Sequence, residues 1–133
     1  MDPRDRDRFD RLLEQVLDDL PPSVLQLLDE IPLIVEDYPS DKIIADMGLS
    51  RRDELCGLYN GIPLLERSVD QSGHLSDCVT IYREGILKAA RGDDPAGRLR
   101  KENVLRQIRI TILHELGHHH GLDEEELDEL GYG

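Results

Sequence analysis

Apolar residues in the first twenty positions recur at helical steps. Phe9, Leu12, Leu13, Val16, Leu17 and Leu20 follow the i, i+3, i+4, i+7, i+8, i+11 series of one helix face, and Pro21-Pro22 ends the run. A helix is therefore predicted over about residues 4–20, and Pro22 can open a second, short one through Leu28. The pattern then changes: Ile31-Pro32-Leu33-Ile34-Val35 is rich in branched side chains and predicts a strand, with Pro32 at its beginning or on a sheet edge. Residues 38–52 form a polar connection with Pro39 and Gly48, with room for one helical turn around Ile43. Residues 55–59 predict a second strand, and Asn60-Gly61 is a strong turn signal before Ile62-Pro63-Leu64-Leu65. Residues 66–77 carry few apolar side chains and read as a loop, with His74 a solvated member of it.

Residues 78–83 alternate well enough for a third strand, residues 84–91 form a short helix closed by Gly92, and Asp93-Asp94-Pro95-Ala96-Gly97 breaks the chain. A long helix is predicted over about 99–120. Its middle, 108–113, is rich in β-branched residues, but Val104, Leu105, Ile108, Ile112, Leu113 and Leu116 keep three- and four-residue steps, which decides for helix. Residues 123–130 add a last acidic turn or two. Two helices, then strands, then a long helix point to α+β, with a small mixed sheet packed on that helix. The expected organisation is one domain over 1–133, of which 1–29 are an N-terminal helical segment.

Charge narrows the function classes. With 16 basic and 29 acidic residues the formal charge is −13, a field that repels phosphate backbones and anionic membranes. Neither nucleic acid nor membrane is expected as a partner. The alternating Asp and Arg residues at 2–8 read as solvated charge pairs. No apolar run approaches the ~18 residues of a spanning helix, and the charged N-terminus is unlike a signal peptide, so the cytoplasm is the expected location. Cys56 and Cys78 lack C-x-x-C spacing and read as reduced, buried thiols, with zinc ligation by either a minor alternative.

Within the long helix stands His114-Glu115-Leu116-Gly117-His118, an H-E-x-x-H pattern. Positions four apart on a helix lie about 40° apart and one turn along, so two imidazoles can hold one metal while the backbone keeps its hydrogen bonds. Glu115 is one step around, poorly placed as a third ligand but able to reach a water on the metal. In a chain of 133 residues with this composition the pattern arises by chance in roughly one shuffled sequence in fifty. Gly121 suits the point where the helix stops and the chain turns back. Catalytic zinc sites use three protein ligands, and the third is sought just after this turn, at Glu124 or one position earlier at Asp123. His74, Asp128 and the terminal carboxylate come next. Thr111 and Gln107 share the motif face and could line a cleft, whereas His119 and His120 point away from it, at roughly 140° and 240° from His114.

The segment resembles the zincin metallopeptidases that turn at a glycine, the metzincins and aspzincins. More closely, residues 30–133 are similar to the small bacterial family of minimal zincin-like metallopeptidases. That likeness includes Leu58-Tyr59-Asn60-Gly61-Ile62-Pro63-Leu64, Glu66-Arg67-Ser68 and Val79-Thr80-Ile81-Tyr82-Arg83. Members usually carry Asp where this chain has Glu124, and the methionine turn of metzincins has no counterpart here. The resemblance implies a zincin-like fold and a zinc peptidase with one Zn2+ per chain. Its ligands would be His114, His118 and Glu124, with Glu115 as general base and then proton donor to the leaving amine. It also implies an edge strand that pairs with extended peptide or protein substrate, for which residues 79–83 are the candidate. Little chain follows the motif to wall a specificity pocket; short peptides, a partner's surface or a homodimer would answer that. The alternatives are a zinc-binding module without turnover and a metal-dependent ribonuclease using His-x-x-x-His, which the charge disfavours and which leaves Glu115 without a role.

Overall fold

The computed structural model describes residues 1–61 and 77–119, with His119 described by its backbone alone. The first helix, α1 (Pro3–Asp19), begins where the Asp2 side chain accepts a hydrogen bond from the Arg4 amide and Pro3 opens the first turn. Phe9, Leu12, Leu13 and Val16 form its buried stripe, and the chain leaves the helix at Leu20 before Pro21. α2 (Pro22–Glu30) follows with proline at its first position and hands over to β1 (Leu33–Glu36). Pro32 stands just outside β1, where its carbonyl accepts from the Val79 amide at 3.0 Å.

The polar connection holds more helix than the single turn expected of it. α3 (Asp41–Met47) has Ser40 as N-cap, its hydroxyl accepting from the Ile43 amide, and Gly48 as a left-handed C-cap at φ 66°. Both signals stand in the sequence, and the lack of a buried face hid them from periodicity. A 3-10 turn (Arg52–Glu54) leads into β2 (Gly57–Asn60), and β3 (Cys78–Tyr82) runs directly into α4 (Arg83–Gly92). α5 (Lys101–His119) is the long motif helix, with its β-branched middle fully helical.

The three described strands lie in the order β1-β3-β2, with β1 parallel and β2 antiparallel to β3. The mixed sheet and, among the described residues, five helices make this the α+β fold that the periodicity predicts. One expectation is overturned: residues 79–83 do not form an edge. β3 is the central strand, with Val79 and Ile81 wholly buried, and paired strands occupy both its sides.

The core lies where α1, α4 and the sheet converge on α5. Val104, Ile108, Ile112 and Leu116 of α5 meet Phe9, Leu12, Leu13 and Val16 of α1, Ile86 and Ala90 of α4, and Val79 and Ile81 of β3. Each such large side chain contributes about 1.5–3 kcal/mol by leaving water, so aliphatic residues carry a core nearly without aromatics. Arg83 adds a polar fastening: it reaches Asp10 of α1 and Asp37 beyond β1, each at 2.9 Å, while Arg6 takes the other Asp37 oxygen at 2.6 Å. The charges at the start of α1 are therefore not all solvated pairs, because Arg6 bridges to the sheet.

Candidate metal centre

The site stands on the last turns of α5. There His114 and His118 are half-buried and Glu115 is 9% exposed. The two imidazoles meet edge to face, their ring centres 4.7 Å apart and their Nε2 atoms 3.0 Å apart. One nitrogen atom from each histidine and one Glu115 oxygen lie within 4.8 Å of one another. With metal–nitrogen bonds of ~2.0–2.1 Å, two ligands of a tetrahedral ion stand ~3.4 Å apart, so the observed spacing needs only a slight opening. Two imidazoles one helical turn apart are donors that suit a borderline-soft divalent ion, and the Glu115 carboxylate stands within reach of a water on it. The residues present fit zinc.

Glu115 is held from the sheet side. Its Oε2 accepts a hydrogen bond of 2.7 Å from the Tyr59 amide of β2. The register explains why that amide is turned outward. Cys56 and Tyr82 exchange a ladder bond, Tyr82 N–H to Cys56 C=O at 2.8 Å, so by antiparallel alternation Leu58 also bonds to β3. Gly57 and Tyr59 consequently point their backbone groups away from β3, towards α5. The close approach is possible because residue 57 is glycine. A Cβ there would lie 2.6 Å from Thr111 Cγ2 and 3.3 Å from Glu115 Cγ.

That packing revises the readings of Thr111 and Gln107. Thr111 is buried with its methyl against Gly57, and its hydroxyl donates to the Gln107 carbonyl of its own helix at 2.7 Å. The Gln107 amide donates to Asp93 at 2.7 Å. Both side chains serve the helix and its entry loop. Burial, and then the nearby Glu115 charge, push the Cys56 thiol up, which keeps it protonated and leaves it a poor ligand. Tyr82 is pushed up to about 12, chiefly by burial.

A family model described as zincin-like metallopeptidase matches residues 28–133, most of the chain and all of the site. The chain belongs to the zincin-like metallopeptidase family. No curated protein matches it. Membership brings zinc as the implied cofactor and peptide hydrolysis as the activity the family suggests. Of the residues singled out in the sequence, His114, Glu115 and His118 come together. Glu124, Asp123, Asp128, His74 and His120 lie outside the described residues, as do the turn at Gly121, Ile62-Pro63-Leu64-Leu65 and all but Asp77 of the loop expected over 66–77. No described helix is long and apolar enough to cross a membrane.

Sequence reading missed the partnership of Glu115 with Tyr59. A backbone amide leaves no mark of its own in composition or periodicity. The signal available was Gly57 inside a strand pattern, which marks a place where another chain segment comes close.

Proposed function

We propose that this chain is a zinc-dependent peptidase in which Glu115 is the general base. One observation supports the reading above the others: the imidazoles of His114 and His118 converge one helical turn apart, and the carboxylate between them in sequence is oriented by a strand amide. His114 and His118 would hold one ion per chain, with Glu124 as the third ligand and Asp123 as its rival. Zinc, when bound, supplies Lewis acidity and lowers the pKa of a coordinated water to about 7. Glu115 takes a proton as water attacks the peptide carbonyl and returns it to the leaving amine. The Tyr59 hydrogen bond fixes one carboxylate oxygen, which keeps the base from rotating and lowers its tendency to act as a ligand.

The substrate is a peptide or protein offered in extended form. β2 replaces residues 79–83 as the strand for this role, because it is an outer strand among the described residues and passes beside Glu115. The charge of −13 makes RNA a poor alternative substrate.

The test is Glu115→Gln, which keeps the size of the side chain and one acceptor for the Tyr59 amide but removes the base. Zinc content should be unchanged while hydrolysis of a peptide library falls by about 10²-fold or more. If wild type and variant hold zinc and are equally inert, the chain is a zinc-binding module without turnover. RNA cleavage that depends on His114 would replace the peptidase reading with the ribonuclease one.

A further inference from the structure

A groove of about 530 Å³ opens between α1, α4 and the start of α5, within the roughly 300–1,000 Å³ range of ligand sites. Its floor is apolar, made by Phe9 and Leu12 of α1, Leu87 of α4 and Val104 of α5, with Leu99 exposed at the rim. Its walls carry Arg8, Arg11, Arg91 and Lys101, against a single carboxylate, Asp5. This composition is the reverse of the whole chain, whose formal charge is −13. Among the described residues, the Lys and Arg side chains outside any ion pair are Arg4, Arg8, Arg11, Arg91 and Lys101. All but Arg4 line this one groove; Arg11 makes only a 3.4 Å contact to the Asp7 carbonyl of its own helix. Acids outnumber bases almost two to one here, so cations left unpaired and gathered on one concave surface call for an external anion. The positive end of the α5 dipole opens on the same side.

We propose that this groove binds an acidic segment of a partner protein with apolar side chains interspersed among its carboxylates. The four cations meet the carboxylates, and the floor of Phe9, Leu12, Leu87 and Val104 takes the apolar groups. Nucleic acid would leave that floor without a use and would meet the repulsion of the remaining surface. A membrane is flat and cannot enter a groove. The site is separate from the metal centre, since Lys101 and His114 are 13 residues apart on α5, about 20 Å at ~1.5 Å per residue. Its α1 wall also precedes the family match over residues 28–133, while its α4 and α5 sides lie within it. The inference is independent of the peptidase reading.

The probe is a fluorescein-labelled peptide of four Glu-Glu-Leu repeats, titrated with the full chain and followed by anisotropy. A peptide of four Lys-Lys-Leu repeats is the control. The acidic peptide should bind more tightly despite the net charge of the chain, and should weaken as salt rises. Arg8→Glu with Arg91→Glu should weaken it by about tenfold or more, and Arg4→Glu, outside the groove, should leave it unchanged. All three positions are exposed, and circular dichroism checks the fold. Should the double reversal unfold, Arg8→Gln with Lys101→Gln removes charge more gently and should still weaken binding about threefold or more. Equal binding of the two peptides, or unchanged affinity in the folded charge variants, would overturn the proposal. So would an oligouridylate that displaces the probe at lower concentration than the unlabelled acidic peptide, which would assign the groove to nucleic acid.

Discussion

At Glu124, the proposed third ligand, the chain carries one methylene more than the aspartate usual in the proteins it resembles. The sequence spacing favours the carboxylate three residues beyond Gly121 as third ligand over its neighbour Asp123. Glu124→Ala is therefore expected to weaken zinc affinity on the order of 10-fold or more, Asp123→Ala far less, and Glu124→Asp little. A competitive chelator titration measures all three; if Asp123→Ala is the damaging change, the ligand register moves back by one. His118→Ala should abolish tight binding, because one imidazole then remains on the helix, and metal analysis showing a full complement of zinc would refute the site. What could be read from the sequence at this scale was the chemistry with a fixed local spacing. His114 and His118 are one turn apart by arithmetic, and their Nε2 atoms do meet at 3.0 Å. The Tyr59 amide that orients Glu115 comes from 56 positions away in the chain, and no local pattern encodes it.

At the scale of elements, periodicity found what has a buried face and missed what does not. α1, α4 and α5 each present an apolar stripe and were predicted within a few residues of their observed bounds. α3 buries none of its residues, so only its caps, Ser40 and Gly48, could announce it. Strand order was beyond local reasoning. Residues 79–83 alternate as an edge strand would, yet β3 is central, because β1 and β2 find it from opposite sides. Where elements touch, one contact governs the site: β2 lies against α5 only because Gly57 has no side chain. Gly57→Ala should press on the Thr111 methyl at 2.6 Å, push β2 from the helix and lengthen the Tyr59–Glu115 hydrogen bond. Thermal stability and peptide hydrolysis should both fall. Adding Thr111→Ser removes that methyl and keeps the hydroxyl bond to Gln107, so the double variant should recover part of both losses. Additive losses instead would mean that Gly57 is needed for some other reason.

At the scale of the whole molecule, carboxylates fasten both a local turn and a junction between distant segments, and they make stability depend on acid. Asp94, its side chain 2% exposed, organises the approach to α5: it accepts from the Ala96 and Arg98 amides at 3.1 and 2.8 Å and from the Arg98 and Arg100 guanidinium groups. The Arg100 hydrogen bond, and then the Arg98 amide, bring its pKa from 3.8 down to about 2. Asp37, between Arg6 and Arg83, is likewise lowered, first by its hydrogen bond to Arg6, and through it α1 is fastened to the sheet. Both groups bind a proton less readily folded than unfolded, so the folded state gains from their ionisation. Their contribution is complete above the unfolded value of 3.8 and is lost as pH falls through the folded value, which for Asp94 is about 2. The melting temperature should accordingly be insensitive to these two groups near neutrality and fall between about pH 4 and pH 2. Asp94→Asn keeps the shape but loses the charge, so it should lower the melting temperature at neutral pH and flatten the acid limb. Asp37→Asn should do the same through a different contact, and because the two sites share no partner their effects should add. A limb equally steep in both single variants would show that acid unfolding is driven elsewhere, and that the carboxylates at these junctions fix geometry without linking it to pH.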